Sequence, residues 1–101
     1  MSAPEPRFDD VVHARNRLQI CAMLARVDAL AFPTVREALD VEDYVVSKHL
    51  KVLVDAGYVS SRKERHHGRT QTWLRLTDDG RHALERHLAE LRRILAADDA
   101  G

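Results

Sequence analysis

The sequence is poor in the residues that cross-link a fold or fill an aromatic core. Of its 101 residues, only five are aromatic, and one, Cys21, is a cysteine. A lone cysteine excludes an internal disulfide, and its expected place is the core, as a small apolar side chain. Aliphatic side chains must therefore build the core, and about 100 residues suffice for one domain.

Long apolar runs are also missing. No stretch approaches the roughly 20 apolar residues that span a membrane, and the N-terminus has no charged-then-apolar leader. We therefore expect a soluble, cytoplasmic protein with no membrane partner. Pro4 and Pro6 lie in residues 1–8, which we expect to form a flexible arm, and residues 9–101 are expected to form a single domain.

The chain lacks the signatures of an enzyme. It has no glycine-rich phosphate loop, no carboxylate pair framed by a pocket and no nucleophile with an evident base, so neither catalysis nor a cofactor is predicted. A metal site is not predicted either. His82 and His87 lie about 140° apart around an ideal helix, which leaves only His87 and Glu90 as neighbours. His66 and His67 are flanked by arginines, which disfavour a metal cation.

The sequence has no net charge, which argues against a basic coat over the whole surface. The charges are nevertheless unevenly distributed. Residues 44–75 hold seven Lys/Arg against two Asp/Glu, whereas residues 1–43 have a net charge of −3 and residues 76–101 of −2. Such segregation predicts an electropositive binding face on an otherwise acidic body.

The segment from Tyr44 to Val59 predicts a helix with one buried and one exposed face, followed by the start of a strand at Tyr58. Val46, Leu50 and Leu53 recur at helical spacing and predict the buried stripe. Gly57 is expected to end the helix with a positive φ. The exposed face carries hydroxyl groups and two cations, at Tyr44, Ser47, Lys48 and Lys51, together with Asp55. A short helix with such a face fits the major groove of DNA.

A longer helix is predicted near the N-terminus. Asp9 or Asp10 can cap it, and its apolar periodicity continues to about Val27. Residues 30–32 then predict a stub of strand.

A short helix is predicted between this strand and the helix with the exposed polar face. Thr34 and Glu37 fit a capping box for a helix that ends at Leu39. Residues 40–43 form the turn to the next helix. Two helices joined by so short a turn are typical of a helix-turn-helix.

A basic β-hairpin is predicted after the helix-turn-helix. Residues 58–65 and 70–76 are strand-like, and Gly68 supplies the positive φ of the turn. Leu74 is expected to point inward and Trp73 towards the other face. Charged and imidazole side chains crowd the tip, at Arg62, Lys63, Arg65, His66, His67 and Arg69. This hairpin is interpreted as a wing that contacts DNA.

The last predicted helix is capped by Thr77 and runs to about Ala96. At 1.5 Å per residue it is about 30 Å long, more than a core of this size can cover. Its apolar residues form a narrow seam. We therefore predict a dimer interface, formed by this seam together with the first helix, at Val11, Leu18, Leu84, Leu88, Leu91 and Leu95.

Motifs along the chain carry a family resemblance. They are His13 with Arg17-Leu18 and Ile20, FPTVREAL at 32–39, SKHL at 47–50 with Leu53, AGYV at 56–59, Arg69 and LRLTDDGR at 74–81. The pairing of SKHLKVLVDAGYV with LTDDGR is specific. On these motifs, nearly the whole chain resembles small stand-alone winged-helix transcriptional regulators of the MarR/ArsR-like superfamily.

The resemblance implies a fold and a mode of binding. The fold is mainly α (α+β), a winged helix-turn-helix with a two-stranded β-hairpin wing and long N- and C-terminal helices for dimerisation. The protein would be a homodimer on a pseudo-palindromic double-stranded DNA operator. The implied groove contacts are Ser47, Lys48, His49 and Lys51, and the implied wing contacts are Arg62, Arg65 and Arg69. Tyr44 and Val45 depart from the small or polar residues frequent in relatives, so base preference does not carry over.

We therefore predict a sequence-specific, homodimeric DNA-binding regulator, more specifically a repressor. One alternative is a metal- or small-molecule-responsive sensor of the ArsR type, although the paired-cysteine motif of such sensors is missing. An unidentified small-molecule effector is compatible with either function. A third interpretation, a winged-helix protein-interaction module, would need a neutral wing.

Overall fold

The computed structural model describes residues 3–100. In chain order the elements are α1 (Asp10–His13), α2 (Arg15–Leu24), β1 (Leu30–Ala31), α3 (Phe32–Leu39), α4 (Asp43–Asp55), β2 (Val59–His66), β3 (Arg69–Leu76) and α5 (Asp78–Ala100). α3 and α4 form the helix-turn-helix and β2 and β3 form the wing, so the predicted winged-helix fold is confirmed. Within this part of the chain, every helix is too short or too polar to cross a lipid bilayer.

The predicted N-terminal helix is interrupted and ends early. Asp9 caps α1 as expected, because its Oδ1 accepts a hydrogen bond from the backbone N–H of Val12 at 3.0 Å. Ala14 then adopts an extended conformation with ψ 134°, and α2 ends at Leu24 rather than near Val27. The prediction of one continuous helix was therefore wrong.

The break at Ala14 coincides with a tertiary contact. The Nδ1 atom of His13, the residue before the break, lies 3.0 Å from Nε2 of His87 on α5. Long-range contacts of this kind override helix propensity and leave no mark on the local apolar periodicity. The sequence pattern could therefore show that apolar helical residues follow Asp9, but not where the helix breaks.

The start of α3 also differs from its prediction. The helix begins at Phe32, and Pro33 lies in its first turn, where the missing backbone N–H costs nothing and the fixed φ is already helical. Thr34 and Glu37 therefore lie inside the helix and do not form the predicted capping box. The helix ends at Leu39, as predicted.

α4 has the two faces that its sequence predicts. Val46, Leu50 and Leu53 are buried. Gly57 has φ +80° and ends the helix as expected. The backbone of Tyr58 donates to the carbonyl oxygen of Leu53 at 2.9 Å, which closes the last turn.

The sheet has three antiparallel strands in the order β1-β3-β2. The wing turn consists of His67 and Gly68, both with positive φ, which is the geometry of a two-residue type I′ hairpin. Leu74 is buried and Trp73 lies on the opposite face of β3, half-buried, in register with Ala31 of β1 and Arg62 of β2.

The core is almost entirely aliphatic, as the composition predicts. Cys21 is fully buried within it, and this burial, reinforced by the nearby Asp9 carboxylate, raises the pKa of its thiol to about 11. A thiol in this environment is unreactive, which agrees with its predicted structural role. The buried apolar residues are Val12, Ile20, Cys21, Leu24, Val35, Leu39, Val46, Leu50, Leu53, Val59, Leu74 and Leu84.

α5 begins where predicted. The Oγ1 atom of Thr77 accepts a hydrogen bond from the Gly80 N–H at 3.0 Å, which caps the helix. Gly80 packs tightly: a Cβ atom at this position would lie 2.1 Å from the carbonyl oxygen of Tyr58. α5 thus begins in direct contact with the segment that ends α4.

A part-buried hydrogen-bonded network surrounds the buried His87 on α5. The imidazole has no exposed surface; its Nδ1 accepts from the Asp9 N–H at 3.0 Å, and its Nε2 faces Nδ1 of His13. The hydroxyl of Tyr58, which follows α4, donates to Oδ2 of Asp9 at 2.6 Å. The network therefore connects the start of α1, the end of the helix-turn-helix and α5.

Two residues of the predicted flexible arm contact α5. The N–H of Arg7 donates to the carbonyl oxygen of Arg86 at 3.0 Å. The ring of Phe8 packs against His13 and His87, with centroid distances of 4.6 and 4.7 Å. The flexibility of residues 1–8 stays a prediction, and Met1 and Ser2 lie outside the described residues.

Candidate nucleic-acid interface

The exposed face of α4 forms the first part of the candidate interface. Tyr44 is 73% exposed, and the other members of this face are also exposed. They lie opposite the buried stripe of α4, because residues three or four apart share one side of a helix. We name this surface the α4 ridge, and it consists of Tyr44, Ser47, Lys48 and Lys51.

Lys51 has an acidic neighbour on the same helix. Its Nζ lies 3.2 Å from Oδ2 of Asp55, and both side chains are exposed. Exposed pairs at this spacing contribute only about 0.3–0.5 kcal/mol, so a phosphate or a base acceptor can displace the carboxylate. Lys51 therefore remains available as a DNA contact.

His49 does not belong to the α4 ridge. The side chain is half-buried and its Nδ1 lies 3.2 Å from Nη1 of Arg17 on α2. Burial, the Arg17 guanidinium and the neighbouring Lys48 ammonium all lower the pKa of His49. The structure thus places this implied groove contact on the flank of α4, facing α2.

The wing forms the second part of the interface. All of its charged residues near the tip are exposed, as are His66 and His67, whose rings contact each other with a centroid distance of 4.0 Å. The only acidic side chain among them, that of Glu64, lies 3.8 Å from Arg62. We name the four strong bases near the tip of this hairpin the wing cations, and they are Arg62, Lys63, Arg65 and Arg69.

The wing cations project from both faces of the hairpin. Lys63 and Arg65 share one face, and Arg62 and Arg69 share the other, because successive strand residues alternate and the register pairs Arg62 with Trp73 and His66 with Arg69. A hairpin with charge on both faces can neutralise phosphates on either side of a groove.

An ion pair within the helix-turn-helix was not anticipated from the sequence. Nε of Arg36 on α3 lies 3.2 Å from Oδ1 of Asp43, the first residue of α4. The pair connects the two helices and also places a carboxylate at the positive end of the α4 dipole. Opposite charges seven residues apart across a turn give no periodic signal, so only the fold reveals this contact.

The predicted dimer residues differ in how much surface they retain. Leu84 is 5% exposed and lies in the core of its own chain, so it has little surface left for a partner. Leu95 is 63% exposed. The remaining members are half-buried, and they are Val11, Leu18, Leu88 and Leu91.

The donor set for a metal site is poor. Across residues 3–100, no three His, Cys, Asp or Glu side chains come together as a metal site requires. Both ring nitrogens of His87 are engaged, one by the Asp9 N–H and the other by His13. His82 is exposed on α5 and does not take part in this network.

Comparison with known proteins identifies the family. A profile described as winged helix DNA-binding domain matches residues 16–95. An uncharacterised protein of Methanocaldococcus jannaschii is 30% identical over 87 residues, which cover 86% of this chain and 90% of that protein. The solved structure of a transcriptional regulator homologue from Pyrococcus horikoshii has a TM-score of 0.83 and 25% identity, and the match covers 88% of each chain.

A relative from Bacillus subtilis supports the same assignment. It bears the name of an uncharacterised helix-turn-helix-type transcriptional regulator and is 29% identical over 82 residues, 81% of this chain. The match covers 49% of that protein, so the present chain spans about half its length. Its family and fold are those of a transcriptional regulator and not of an enzyme. The chain belongs to the winged helix DNA-binding domain family, as its resemblance to MarR-like regulators predicted.

Proposed function

We propose that this protein is a sequence-specific, homodimeric repressor that binds double-stranded DNA through the α4 ridge and the wing cations. The observation that carries the proposal is the concentration of exposed basic side chains on these two adjacent elements, within a chain of zero net charge. Residues 44–75 carry a net charge of +5. A localised patch of this kind on a neutral protein supports binding to a polyanion through one face.

The two elements have different roles in this proposal. The α4 ridge enters the major groove, where its ammonium and hydroxyl groups can donate to the acceptors of guanine, and its hydroxyl groups can also accept from adenine and cytosine. The wing cations contact phosphates beside the groove, which supplies affinity independent of sequence. The exposed His66 and His67 lie at the same tip and fit the same role.

Dimerisation is proposed because one recognition helix reads too few base pairs to select a genomic site. α5 has 23 residues, so it is about 34 Å long, and its C-terminal half keeps exposed apolar surface at Ile94 and Leu95. Leu88 and Leu91 continue this seam, and Val11 and Leu18 lie half-buried on the N-terminal side. A second copy of the chain would bury this seam.

Repression needs no surface beyond these elements. A dimer that occupies two successive major grooves at a promoter excludes other proteins from the same DNA. The proposed operator is pseudo-palindromic, because the two-fold axis of the dimer imposes inverted half-sites on the DNA.

The roles of the α4 ridge can be tested by single substitutions. Ser47→Ala and Lys48→Ala should lower discrimination between a selected duplex and random duplex DNA by about 1–3 kcal/mol for each lost base contact. Arg92→Ala, which removes an exposed cation of α5, is the control. Equal discrimination by all three variants and the wild type would place the recognition surface elsewhere.

A further inference from the structure

Arg17 on α2 contacts both the N-terminal helix and the recognition helix. α1 has four residues, so its carbonyl groups lack intrahelical donors, and Nε of Arg17 donates to the carbonyl oxygen of Val11 at 2.6 Å. The same guanidinium places Nη1 3.2 Å from Nδ1 of His49. The carbonyl of Val11 therefore helps to hold the Arg17 side chain in the orientation that meets His49.

This contact determines where His49 carries its proton. A guanidinium stays protonated and can only donate hydrogen bonds, so Nδ1 of His49 must accept. In the neutral imidazole the single proton then resides on Nε2. Burial, Arg17 and Lys48 all lower the pKa of His49, which favours this neutral form.

The position of His49 on α4 determines what its Nε2–H can reach. Residues advance by about 100° around a helix, which places His49 between the buried stripe of Val46 and Leu53 and the exposed Lys48. When the ridge of a helix faces the base edges, the flanks of that helix face the walls of the groove, and these walls are lined by phosphates. The acceptor nearest to a flank donor is therefore a phosphate oxygen.

We infer that Arg17 is a positioning residue for DNA binding, because it orients neutral His49 so that its Nε2–H donates to a phosphate oxygen at the wall of the major groove. The inference rests on the proposed function, since it requires α4 to enter the groove. The contact carries no sequence information of its own, but it fixes how α4 is seated relative to the bases. Unlike a wing cation, a neutral donor displaces no counterion.

Two substitutions of His49 separate its two nitrogens. Asn places an amide near the position of Nδ1, so His49→Asn keeps the contact with Arg17 and loses the outward donor. Gln places its amide nitrogen near Nε2, so His49→Gln keeps the outward donor. We expect His49→Asn to bind both a selected duplex and a random duplex about tenfold more weakly, with an unchanged salt slope, and His49→Gln to bind more tightly than His49→Asn.

The role of Arg17 is tested by Arg17→Gln, with Arg15→Gln, an exposed arginine of the same helix, as the control. Without the guanidinium, Nδ1 of His49 can take up a proton. Nitrogen-15 NMR of the imidazole should show the Nε2–H tautomer in the wild type and in Arg15→Gln, and a raised His49 pKa in Arg17→Gln. At pH values below that pKa, the slope of log K against log salt concentration for DNA binding by Arg17→Gln should become steeper by about one unit, because protonated His49 neutralises one more phosphate. A purely structural role of Arg17 would not produce this change.

The outcomes that contradict the inference differ from those that contradict the proposed function. His49→Asn binding both duplexes as tightly as the wild type, or an unchanged His49 tautomer and pKa in Arg17→Gln, would overturn the positioning role alone. A folded wild-type protein that binds neither duplex would overturn the proposed function and this inference together. Thermal unfolding of each variant identifies any substitution that acts by loss of fold.

Discussion

At the scale of single residues, His87 shows how a buried polar group can bind several segments together. A backbone N–H always donates, so the hydrogen bond from the Asp9 N–H requires an unprotonated Nδ1 on His87. The proton of neutral His87 then resides on Nε2 and is donated to Nδ1 of His13, 3.0 Å away. Protonation of His87 at Nδ1 would bring an N–H group face to face with the N–H of Asp9, so the network is satisfied only when His87 is neutral.

The stability of the protein should therefore depend on pH. Burial and then His13 lower the pKa of His87 from its usual 6.5, whereas the facing carboxylates of Asp9 and Asp10 oppose the shift. Below pH 6.5 the unfolded chain binds a proton that the folded chain excludes, so stability falls as the pH decreases from 6.5 towards the folded-state pKa. The slope for one proton is at most about 1.4 kcal/mol per pH unit.

Chemical denaturation at several pH values between about 7.5 and about 5 would measure this slope. This range extends roughly one unit to either side of the ordinary histidine pKa. His87→Asn keeps an acceptor near the position of Nδ1 but does not titrate, so its profile should be flatter than that of the wild type. His82→Gln removes an exposed histidine of the same helix and should leave the slope unchanged. Parallel profiles for all three proteins would exclude His87 as the source.

Gly80 should tolerate no larger residue. An alanine Cβ would lie 2.1 Å from the backbone carbonyl oxygen of Tyr58 and 2.8 Å from Cδ1 of Leu76. Because backbone atoms must move to relieve the contact, Gly80→Ala should lower the free energy of unfolding by about 1–3 kcal/mol or more. Glu85→Ala, at an exposed position of α5, should change it by less than about 0.5 kcal/mol. Equal stability of both variants in urea would show that α5 can shift freely.

At the scale of elements, sequence periodicity was most reliable where one face of an element is buried. The stripe of α4, the end of α4 at Gly57 and the start of α5 at Thr77 each follow from local rules, and all three are confirmed. The break at Ala14 and the start of α3 at Phe32 were missed. The first coincides with a long-range contact to α5, and the second reflects Pro33, which fits the first turn of the helix better than Thr34 fits as its cap.

In the candidate interface, too, some features follow from the sequence and others do not. The exposure of the α4 ridge and of the wing cations follows from helical and strand periodicity together with composition. The contacts of Arg17 with His49 and of Arg36 with Asp43 depend on how separate elements pack. These contacts could not be predicted from one sequence, because charged residues on different elements give no local pattern.

The wing makes a testable electrostatic contribution. Each phosphate neutralised on duplex DNA contributes about −0.9 to the slope of log K against log salt concentration. Lys63→Ala and Arg69→Ala should each flatten the slope by about one unit, whereas Arg26→Ala, an exposed cation beyond the end of α2, should not. Fluorescence anisotropy at several salt concentrations gives these slopes. Identical slopes for the wild type and both wing variants would remove the wing from the interface.

At the scale of the whole molecule, the elongated shape needs an explanation. The chain extends 58 Å along its longest axis but only 31 and 21 Å along the others. α5 contributes to this shape, and its exposed Ile94 and Leu95 have no role in the core of a single chain. An interface between two copies that covers these residues should bury more than about 1,000 Å² in total.

Leu91→Glu tests that interface. The charge would lie in the apolar seam of α5, which costs several kcal/mol if the proposed interface is dry. Sedimentation should show a dimer for the wild type and a monomer with nearly full helix content for the variant. Arg92→Glu, at the exposed neighbouring position, should stay dimeric. A monomeric wild type at micromolar concentration would mean that α5 serves only its own chain.

If two copies of this chain read one duplex through the α4 ridge, the purified protein should select specific DNA from a random duplex pool. We predict enrichment of an inverted repeat whose half-sites are centred about 10 base pairs apart, one helical turn of DNA. If the protein retains DNA in a salt-dependent way but enriches no particular sequence, that result would contradict sequence-specific recognition. Failure to retain any duplex would contradict DNA binding altogether and favour a protein-interaction module.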